Sequence, residues 1–434
     1  MADSDKTVGI IGMGDMGKMY AKRISEAGWR VNACDAPSKY EELKELCSDY
    51  IIYSVPAEAI DSVVAKYGPS TKLGGIVGGQ TSCKAPEIAA FEKHLPPDVE
   101  IVPVHSLHGP GVDPKGQPLV LIQHRASDAS FALVERILSC LNSKHVYLTA
   151  AEHDRITADT QAVTHAAFLS MGAAWHANAQ FPWEIPRYVG GIENVKINVT
   201  LRIYSNKWHV YAGLAILNPY AQRQIRQYAA SVTELFKLML AGHKDELRAR
   251  IYTAAKAVFR DEGDENLLLK DDVLDRFSLG EKPPERVKNN HLSLLAMVDC
   301  WWKLGIVPYD HMICSTPVSL CSTVRLGDRP GKEEGELNKR LFRLWLGITE
   351  YLFRKPDLLE EVIETAIHDN TFRADDLEFT FAARDWSDRV SLGHMEAYRE
   401  KFEHIQNYFE PRFPEAKRVG NEMIKTILAK TTNS

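Results

Sequence analysis

The chain has 434 residues, more than a single hydrophobic core usually holds, and this length predicts two domains. Its formal net charge is -6 and its lysines and arginines form no basic block, so nucleic acid is not an expected partner. Seven widely spaced cysteines without a CxxC pair indicate reduced thiols rather than a disulfide framework.

Alternating β-like and helix-like patterns fill the first 150 residues. The run from Thr7 is followed by a turn, a helix through about Ala27 and a second β-like run ending at Asp35, which together form a βαβ opening. Further β-like runs follow at residues 50–55, 75–78, 101–104, 119–122 and 145–148. This alternation predicts an α/β N-terminal Rossmann domain with a mostly parallel sheet over residues 1–150.

The remaining chain, residues 151–434, repeats apolar side chains at helical spacing, which predicts an all-α C-terminal domain. Long apolar helices often pack against a second copy, so we expect a homodimer formed through this domain. The chain has neither a secretory pattern at its start nor an uncharged apolar run of about 18 residues. We therefore expect a cytoplasmic protein without a membrane segment.

One segment of the helical domain, residues 318–340, is rich in glycine and charge. Joining Pro317 directly to Leu341 gives a continuous apolar helix with proline near its start. We interpret residues 318–340 as a disordered insertion, and we hypothesise that it is translated from an unspliced intron. Sequencing the transcript tests this hypothesis, because a message that always contains and requires the segment would refute it.

A glycine-rich turn follows the first predicted strand and opens the first helix, the context in which GxGxxG indicates dinucleotide binding. Its residues are Gly12, Met13, Gly14, Asp15, Met16 and Gly17. The first glycine permits a tight turn, the second lets a pyrophosphate approach the backbone, and the third allows close packing of helix on strand. The alternative is a glycine-rich turn that binds no ligand.

Asp35 ends the second predicted strand, where a carboxylate accepts hydrogen bonds from the adenosine ribose of NAD and repels the 2′-phosphate of NADP. Ser38 and Lys39 lie just beyond it and are placed to contact such a phosphate. Ser54 and Val55, at the end of the third predicted strand, complete the expected cofactor-binding residues. The residues themselves leave the choice between NAD and NADP open.

Two loops at the predicted carboxyl ends of strands carry candidate catalytic residues. Ser82 lies in GGQTSCK, and His105 and His108 lie in VHSLHGPG. Two histidines without a third ligand make a poor zinc site, so we expect no metal. A histidine beside a serine suits proton transfer, and we predict that His105 is the catalytic base and Ser82 its hydrogen-bonding neighbour. The alternative for His105 is a loop histidine bonded only to backbone.

A third polar cluster, EHD at residues 152–154, opens the first helix of the second domain and is followed by Gln161 and His165. In an uninterrupted α-helix His153 and His165, twelve residues apart, lie about 120° apart around the axis. Both can then face one small ligand only if His153 lies at a frayed helix start. The alternative is that His153 simply caps the first turn.

These motifs together resemble the prephenate dehydrogenases, closest to the fungal type. HSLHGP resembles the family's HPMxGP segment, which implies the catalytic role of His105. QTSCK resembles its serine-containing segment, which implies that Ser82 holds the substrate hydroxyl and the histidine. The spacing from EHD to the second histidine implies that His153 and His165, with Gln161 between them, lie near the substrate.

The resemblance implies oxidative decarboxylation of prephenate to 4-hydroxyphenylpyruvate, a step toward tyrosine, with NADP as the cofactor of the fungal type. Prephenate carries two carboxylates, so cations are needed, and Lys196, Arg202 and Lys207 are the candidates, with arginine the better bidentate partner. Bacterial relatives place an arginine where this chain has Gly213. The alternative for each of these residues is a solvated side chain on the surface that binds no substrate.

Three other functions remain open from the sequence. The first is an arogenate dehydrogenase, whose substrate has an amino group in place of the keto oxygen. A β-hydroxyacid dehydrogenase is disfavoured, because that class uses a lysine and an asparagine four residues apart, whereas Asn198 is two residues after Lys196. A nicotinamide-binding sensor without catalytic activity is disfavoured by the presence of both Ser82 and His105.

Overall fold

The computed structural model describes residues 5–35, 48–188, 190–259, 287–310, 341–416 and 418–419. The predicted contacts of Ser38 and Lys39 and the predicted insertion at residues 318–340 lie outside these described residues. The described chain divides into two compact units, one of residues up to Thr157 together with 217–219, and one of the remaining residues from Ala158 onward. The first unit thus ends a few residues beyond the boundary expected at residue 150.

The first unit is built on a five-stranded sheet in which every neighbouring pair of strands is parallel and the strand order is β2-β1-β3-β4-β5. Its strands are β1 (Thr7–Ile11), β2 (Arg30–Cys34), β3 (Tyr50–Tyr53), β4 (Ile76–Gly79) and β5 (Glu100–Ile101). The central strands β1, β3 and β4 are buried at every residue, whereas the edge strand β2 is partly exposed. Continuous apolar runs are typical of parallel strands covered on both faces.

Within the described ranges, five helices accompany these strands, namely α1 (Asp15–Glu26), α2 (Ile60–Tyr67), α3 (Lys84–His94), α4 (Asp128–Leu138) and α5 (Ala150–Thr157). Successive strand residues point to opposite faces, so Ile10 packs in one core cluster with Tyr20 of α1. Ile11 packs in the other cluster with Phe91 of α3. The Rossmann architecture predicted from the sequence is confirmed.

A second sheet was not expected as a separate unit. It contains β6 (Val104–Ser106), β7 (Pro118–Leu121) and β8 (Lys144–Tyr147), with β6 antiparallel to β7 and β7 parallel to β8. Pro103 lies between β5 and β6, and a proline has no N–H with which to continue a ladder. The single sheet implied by the strand pattern is therefore divided in two at this proline.

The second unit is helical, as predicted. Its elements are a π turn (Ala158–Ala162), α6 (Val163–Ala177), α7 (Ile192–Tyr204), α8 (His209–Leu217, whose last residue falls in the first unit), α9 (Ala221–Ala241), α10 (Lys244–Val258), α11 (Leu292–Leu304), α12 (Leu341–Phe353), α13 (Pro356–His368), α14 (Arg373–Leu392) and α15 (Met395–Phe409). Helix α14 packs against α6 and α9, and α9 packs against α11. Trp301, Trp345 and Trp386 are among the largest fully buried side chains. No helix in the described part of the chain combines the length and apolarity needed to cross a membrane.

Candidate active site

A cavity of about 470 Å³ lies at the carboxyl ends of the first three strands. Five predicted cofactor-binding residues line it, namely Gly12, Gly14, Asp35, Ser54 and Val55. The other lining residues come from the end of β1, the loop after β3 and helix α2, namely Ile11, Pro56, Ser62, Val63, Lys66 and Tyr67. Ligands of open α/β sheets bind at this position, so the cavity is the candidate cofactor site.

The three glycines of the turn differ in what surrounds them. Gly12 has a φ of +97°, and a Cβ on Gly17 would lie 2.0 Å from the carbonyl oxygen of Gly12, so close packing requires glycine there. A Cβ on Gly14 would meet no atom within 4 Å. The open space at Gly14 fits the close approach of a ligand pyrophosphate to the first turn of α1.

The other predicted residues of the turn form its immediate structure. Met13 and Met16 are partly buried and pack against the core of the sheet, and Asp15 is exposed at the first position of α1. The backbone N–H of Met13 donates to Asp35 Oδ1 at 2.8 Å. Asp35 therefore fixes the glycine-rich turn as well as lining the cavity.

Gln80 is a polar residue near this cavity that the sequence did not single out. Ser54 Oγ donates to Gln80 Oε1 at 2.8 Å, while Gln80 Nε2 is buried without a hydrogen-bond partner among the described residues. An unsatisfied buried donor is unfavourable unless a ligand supplies the acceptor. Together with the open space at Gly14, this amide shows that the residues present fit a bound dinucleotide.

His105 lies in β6, is 8% exposed and heads a chain of hydrogen bonds. Its Nδ1 is 2.7 Å from His153 Nε2, and His153 Nδ1 is 2.8 Å from Asp154 Oδ1. The backbone N–H groups of Lys84 and Ala85 donate to the two oxygens of Asp154. His153 and Asp154 are almost fully buried, so this relay is shielded from solvent.

The chemistry of the relay fixes its direction. Burial, and secondarily the charge of Lys84, lower the pKa of His153, so the ring is neutral near pH 7. Burial alone would raise the pKa of Asp154, but hydrogen bonds from His153 and two backbone N–H groups hold it below its usual value. A carboxylate only accepts, so Nδ1 of His153 carries the proton and its Nε2 accepts from His105. His105 then carries its proton on Nδ1 and its lone pair on Nε2.

Ser82 and His108 flank His105 in the predicted site. Ser82 is partly buried in the loop between β4 and α3, and its predicted hydrogen bond to His105 stays a prediction. His108 is partly buried, and its Nδ1 bonds to the carbonyl oxygen of Gly109. His105 of HSLHGP thus bonds to the relay, whereas His108 bonds to the backbone of its own loop.

In the helical unit, His165 and Arg202 share a neighbour, Tyr211. The His165 ring meets the Tyr211 ring edge-on with centroids 4.8 Å apart, and His165 Nδ1 is buried without a hydrogen-bond partner among the described residues. Burial lowers the pKa of His165 to about 3. Burial raises the pKa of the Tyr211 phenol, and the nearby positive charge of Arg202 lowers it by a smaller amount. Tyr211 itself was not predicted.

The remaining candidates have different surroundings. Gln161 is partly buried in the π turn, and Lys207 is exposed. Lys196 is 3% exposed and donates to Glu193 at 2.7 Å, with His291 at 3.3 Å, so its charge is already neutralised. Among the described residues, no group of three or more histidine, cysteine or acidic side chains is arranged to hold a metal ion.

The helical phase assumed for His153 and His165 was wrong. The structure has a π turn, Ala158–Ala162, between them, and a π turn closes i→i+5 hydrogen bonds rather than i→i+4. The extra residue per turn changes the angle between all side chains on either side of it, so the value of about 120° for an uninterrupted α-helix does not apply. π turns are frequent at functional sites.

Asp154 and Gln80 are the principal site residues that the sequence reasoning missed. Asp154 directly follows His153, and an acidic residue beside a histidine is a detectable signal for an orienting partner. Gln80 lies two residues before Ser82 in a loop already selected. Tyr211 lies within an apolar helix and gave no such signal.

The fold and cavity define a dinucleotide-binding dehydrogenase, and comparisons with known proteins agree. The NAD binding domain of 6-phosphogluconate dehydrogenase matches residues 7–68. The family described as "6-phosphogluconate dehydrogenase C-terminal domain" matches residues 162–324 and 337–429, leaving a gap inside the predicted insertion.

Two fungal proteins match almost the entire chain. The "Probable prephenate dehydrogenase (NADP+)" of Schizosaccharomyces pombe is 57% identical and covers 97% of this chain and 97% of its own. The "Prephenate dehydrogenase (NADP+)" of Saccharomyces cerevisiae is 52% identical and covers 99% of this chain and 95% of its own. A solved structure of prephenate dehydrogenase from A. aeolicus in complex with hydroxyphenyl propionate and NAD+ has a TM-score of 0.48 and 16% identity over 58% of this chain and 96% of that chain.

The chain therefore belongs to the prephenate dehydrogenase family, in its NADP-dependent fungal form. The resemblance seen in the sequence motifs is confirmed.

Proposed function

We propose that this protein is an NADP-dependent prephenate dehydrogenase that converts prephenate to 4-hydroxyphenylpyruvate in the biosynthesis of tyrosine. The observation that carries the proposal is the relay from Asp154 through His153 to His105, in the same unit as the dinucleotide cavity. The names and near full-length identity of the two fungal relatives support it.

His105 is proposed to take the proton of the substrate hydroxyl through Nε2. The relay supports this role because Asp154 and His153 hold the ring in the required tautomer and bury the side of the ring away from the substrate. When bound, the nicotinamide cofactor supplies the hydride acceptor. Loss of carbon dioxide aromatises the ring, so the protein mainly has to position the substrate and accept one proton.

Ser82 is proposed to hold the substrate hydroxyl, and His153, Gln161 and His165 to lie near the substrate. Of the candidate cations, Arg202 is best suited to a carboxylate, because its partly buried guanidinium is not paired with a carboxylate among the described residues. Lys196 is neutralised by Glu193, which disfavours it. Lys207 remains a candidate on its charge alone.

NADP is proposed as the cofactor despite Asp35. One oxygen of Asp35 accepts from the Met13 N–H, which reduces the repulsion that this carboxylate would exert on a 2′-phosphate. Lys66, exposed on the cavity wall, adds a positive charge nearby.

The test is an assay of the purified protein with prephenate or arogenate against NADP+ or NAD+. We expect the largest kcat/KM with prephenate and NADP+. Preference for arogenate would replace the proposed substrate, and reduced-cofactor formation from neither compound would favour the sensor. Omission of substrate and of enzyme are the controls.

A homodimer and a cytoplasmic location are proposed as well. Leu377 and Phe381, four residues apart on one face of α14, are 40% and 57% exposed, as expected for side chains that a second copy covers. Light scattering after size-exclusion chromatography tests the dimer, and a monomer at micromolar concentration would contradict it.

A further inference from the structure

Lys84, the first residue of α3, is completely buried. Its Nζ donates to the carbonyl oxygens of Gly79 at 3.1 Å and Val104 at 2.9 Å. The same ammonium bonds both oxygens of Glu87, at 3.0 and 3.1 Å. All the hydrogen-bonding capacity of the ammonium is therefore directed at the protein interior.

Nothing in the local structure of α3 calls for a lysine here. A positive charge in the first turn opposes the helix dipole, and burying an ammonium is costly unless it is paired and hydrogen-bonded. An apolar side chain of similar length would fill the same volume without that cost. The lysine therefore has a role outside the stability of its own helix.

The two carbonyls lie on the strands that carry the candidate catalytic residues. Gly79 ends β4 and begins the loop to Ser82, and Val104 directly precedes His105 in β6. These strands belong to different sheets, because β5 pairs with β4 at only two positions and β6 pairs with β7. The Lys84 ammonium joins the two strands at the place where the backbone ladder is interrupted.

We propose that Lys84 is a positioning residue for the reaction, whose ammonium fixes the Ser82 loop against the His105 strand. Its backbone N–H also holds Asp154 at 2.7 Å, so one residue anchors both ends of the relay. Glu87 extends the anchor, because its carboxylate accepts from the backbone and hydroxyl of Thr81, next to Ser82.

The charge of Lys84 adds an electrostatic effect to this geometry. Burial lowers the pKa of His153 most, the hydrogen bond to Asp154 raises it, and the charge of Lys84 lowers it further. The titratable groups that face the His153 ring are Asp154 on α5, His105 on β6 and Lys84 on α3. Removing the ammonium should therefore let His153 bind a proton at higher pH, which breaks the relay by filling its Nε2 acceptor.

The inference rests on the proposed function, since it takes His105 as the base. Lys84→Met should lower kcat by roughly 10- to 100-fold, the effect expected for catalytic groups displaced by about 1 Å. The acidic midpoint of the pH profile of kcat/KM should move to higher pH. The Kd for NADP+, measured by protein fluorescence, should stay near the wild-type value because Lys84 does not line the cavity.

Lys84→Met leaves the carboxylate of Glu87 buried without its cation, which can itself destabilise the fold. A second variant without either charge separates this effect from the loss of the ammonium. Lys84→Met/Glu87→Gln removes both charges while the amide oxygen of the new side chain still accepts from Thr81, and it should show the same loss of kcat. Lys72→Met is the matched control, because Lys72 is paired with Asp49 in the same unit away from the site. This control should keep both kcat and the pH midpoint.

A readout independent of turnover separates this inference from the proposed function. Histidine ring NMR, assigned with His105→Asn and His153→Asn, should show the pKa of His153 rising in Lys84→Met whether or not prephenate is the substrate. Wild-type kcat in a folded variant would overturn the positioning role. Lost activity with an unmoved His153 pKa and parallel loss of NADP+ binding would also overturn it, because that pattern is a general folding defect.

Discussion

The role proposed for His105 depends on its two neighbours. A lone imidazole on a strand can donate or accept at either nitrogen, whereas the bond to His153 commits Nδ1 of His105 as the donor. Asp154 in turn commits His153, and two backbone N–H groups hold Asp154. This chain of hydrogen bonds therefore sets the tautomer of His105.

The first residue-scale prediction concerns His105→Asn. Turnover should fall by about 10² to 10⁴, the range for loss of a general base, while NADP+ binding stays intact. Steady-state kinetics and fluorescence titration measure the two effects. His108→Asn is the control and should retain activity, because His108 bonds to Gly109 rather than to the relay. Near wild-type turnover of His105→Asn would mean that another group is the base.

Asp154→Asn tests the far end of the relay. The amide can donate to His153 Nδ1 and so reverse the direction of both histidine bonds, and we expect kcat to fall by about 10² with little change in cofactor Kd. Asp49→Asn is the control, since Asp49 is also a buried acceptor of a backbone N–H but lies apart from the site. Equal losses of kcat in the two variants would contradict a specific role for Asp154.

At the scale of elements, the glycine-rich turn combines two requirements that the sequence pattern does not separate. Gly17 is needed by the fold, because a Cβ there would collide with the Gly12 carbonyl 2.0 Å away. Gly14 faces open space and has a φ of -63°, which any residue adopts. Glycine is therefore needed at position 14 for the approach of the ligand rather than for the fold.

A matched pair of substitutions separates these requirements. Gly17→Ala should lower the thermal midpoint, because helix α1 must move off β1. Gly14→Ala should leave the thermal midpoint unchanged and weaken NADP+ binding by at least tenfold, because the methyl group occupies the approach of the pyrophosphate. Differential scanning fluorimetry without cofactor and a binding titration give the two readouts. Tight NADP+ binding by Gly14→Ala would place the pyrophosphate elsewhere.

In the two sheets, the positions of the strands were predictable from the sequence, but the pairing of the strands was not. Strand positions were predicted closely from apolar runs, because burial on both faces demands continuous apolar residues. The separation of β6, β7 and β8 into their own sheet was not predicted, because the pairing of strands depends on contacts between residues distant in sequence. Pro103 was a visible signal for that break.

At the scale of the whole molecule, fully or partly buried histidines with lowered pKa values make stability depend on pH. Burial lowers the pKa of His153, His165, His176 and His291 below the ordinary value of 6.5. Below about pH 6.5 these histidines bind protons in the unfolded chain but stay neutral in the folded chain. Their contribution to the free energy of unfolding is therefore fully present above this pH and is lost as the pH falls. For His165 the loss continues toward pH 3.

Urea unfolding at pH 7.5 and pH 5.0 measures this dependence. The wild-type midpoint should be lower at pH 5.0, and each fully buried histidine contributes at most about 1.4 kcal/mol per pH unit. In His165→Asn the difference between the two pH values should shrink, whereas replacement of the exposed His243 should leave it unchanged. An equal pH effect in wild type and His165→Asn would show that His165 is protonated in the folded state.

The sequence by itself determined the Rossmann and helical halves, the dinucleotide turn, the family and the choice of His105. Each of these depends on short-range patterns, such as strand-to-helix alternation or a motif within a single loop. Tertiary structure alone decided that the backbone N–H groups of Lys84 and Ala85 hold Asp154, that Lys84 joins the strands of Ser82 and His105, and that a Cβ on Gly14 would meet no protein atom within 4 Å. Those facts depend on residues up to about 70 positions apart meeting in one buried site, as Lys84 and Asp154 do at a separation of 70. Such contacts are set by packing and by the satisfaction of buried polar groups, which no local pattern encodes.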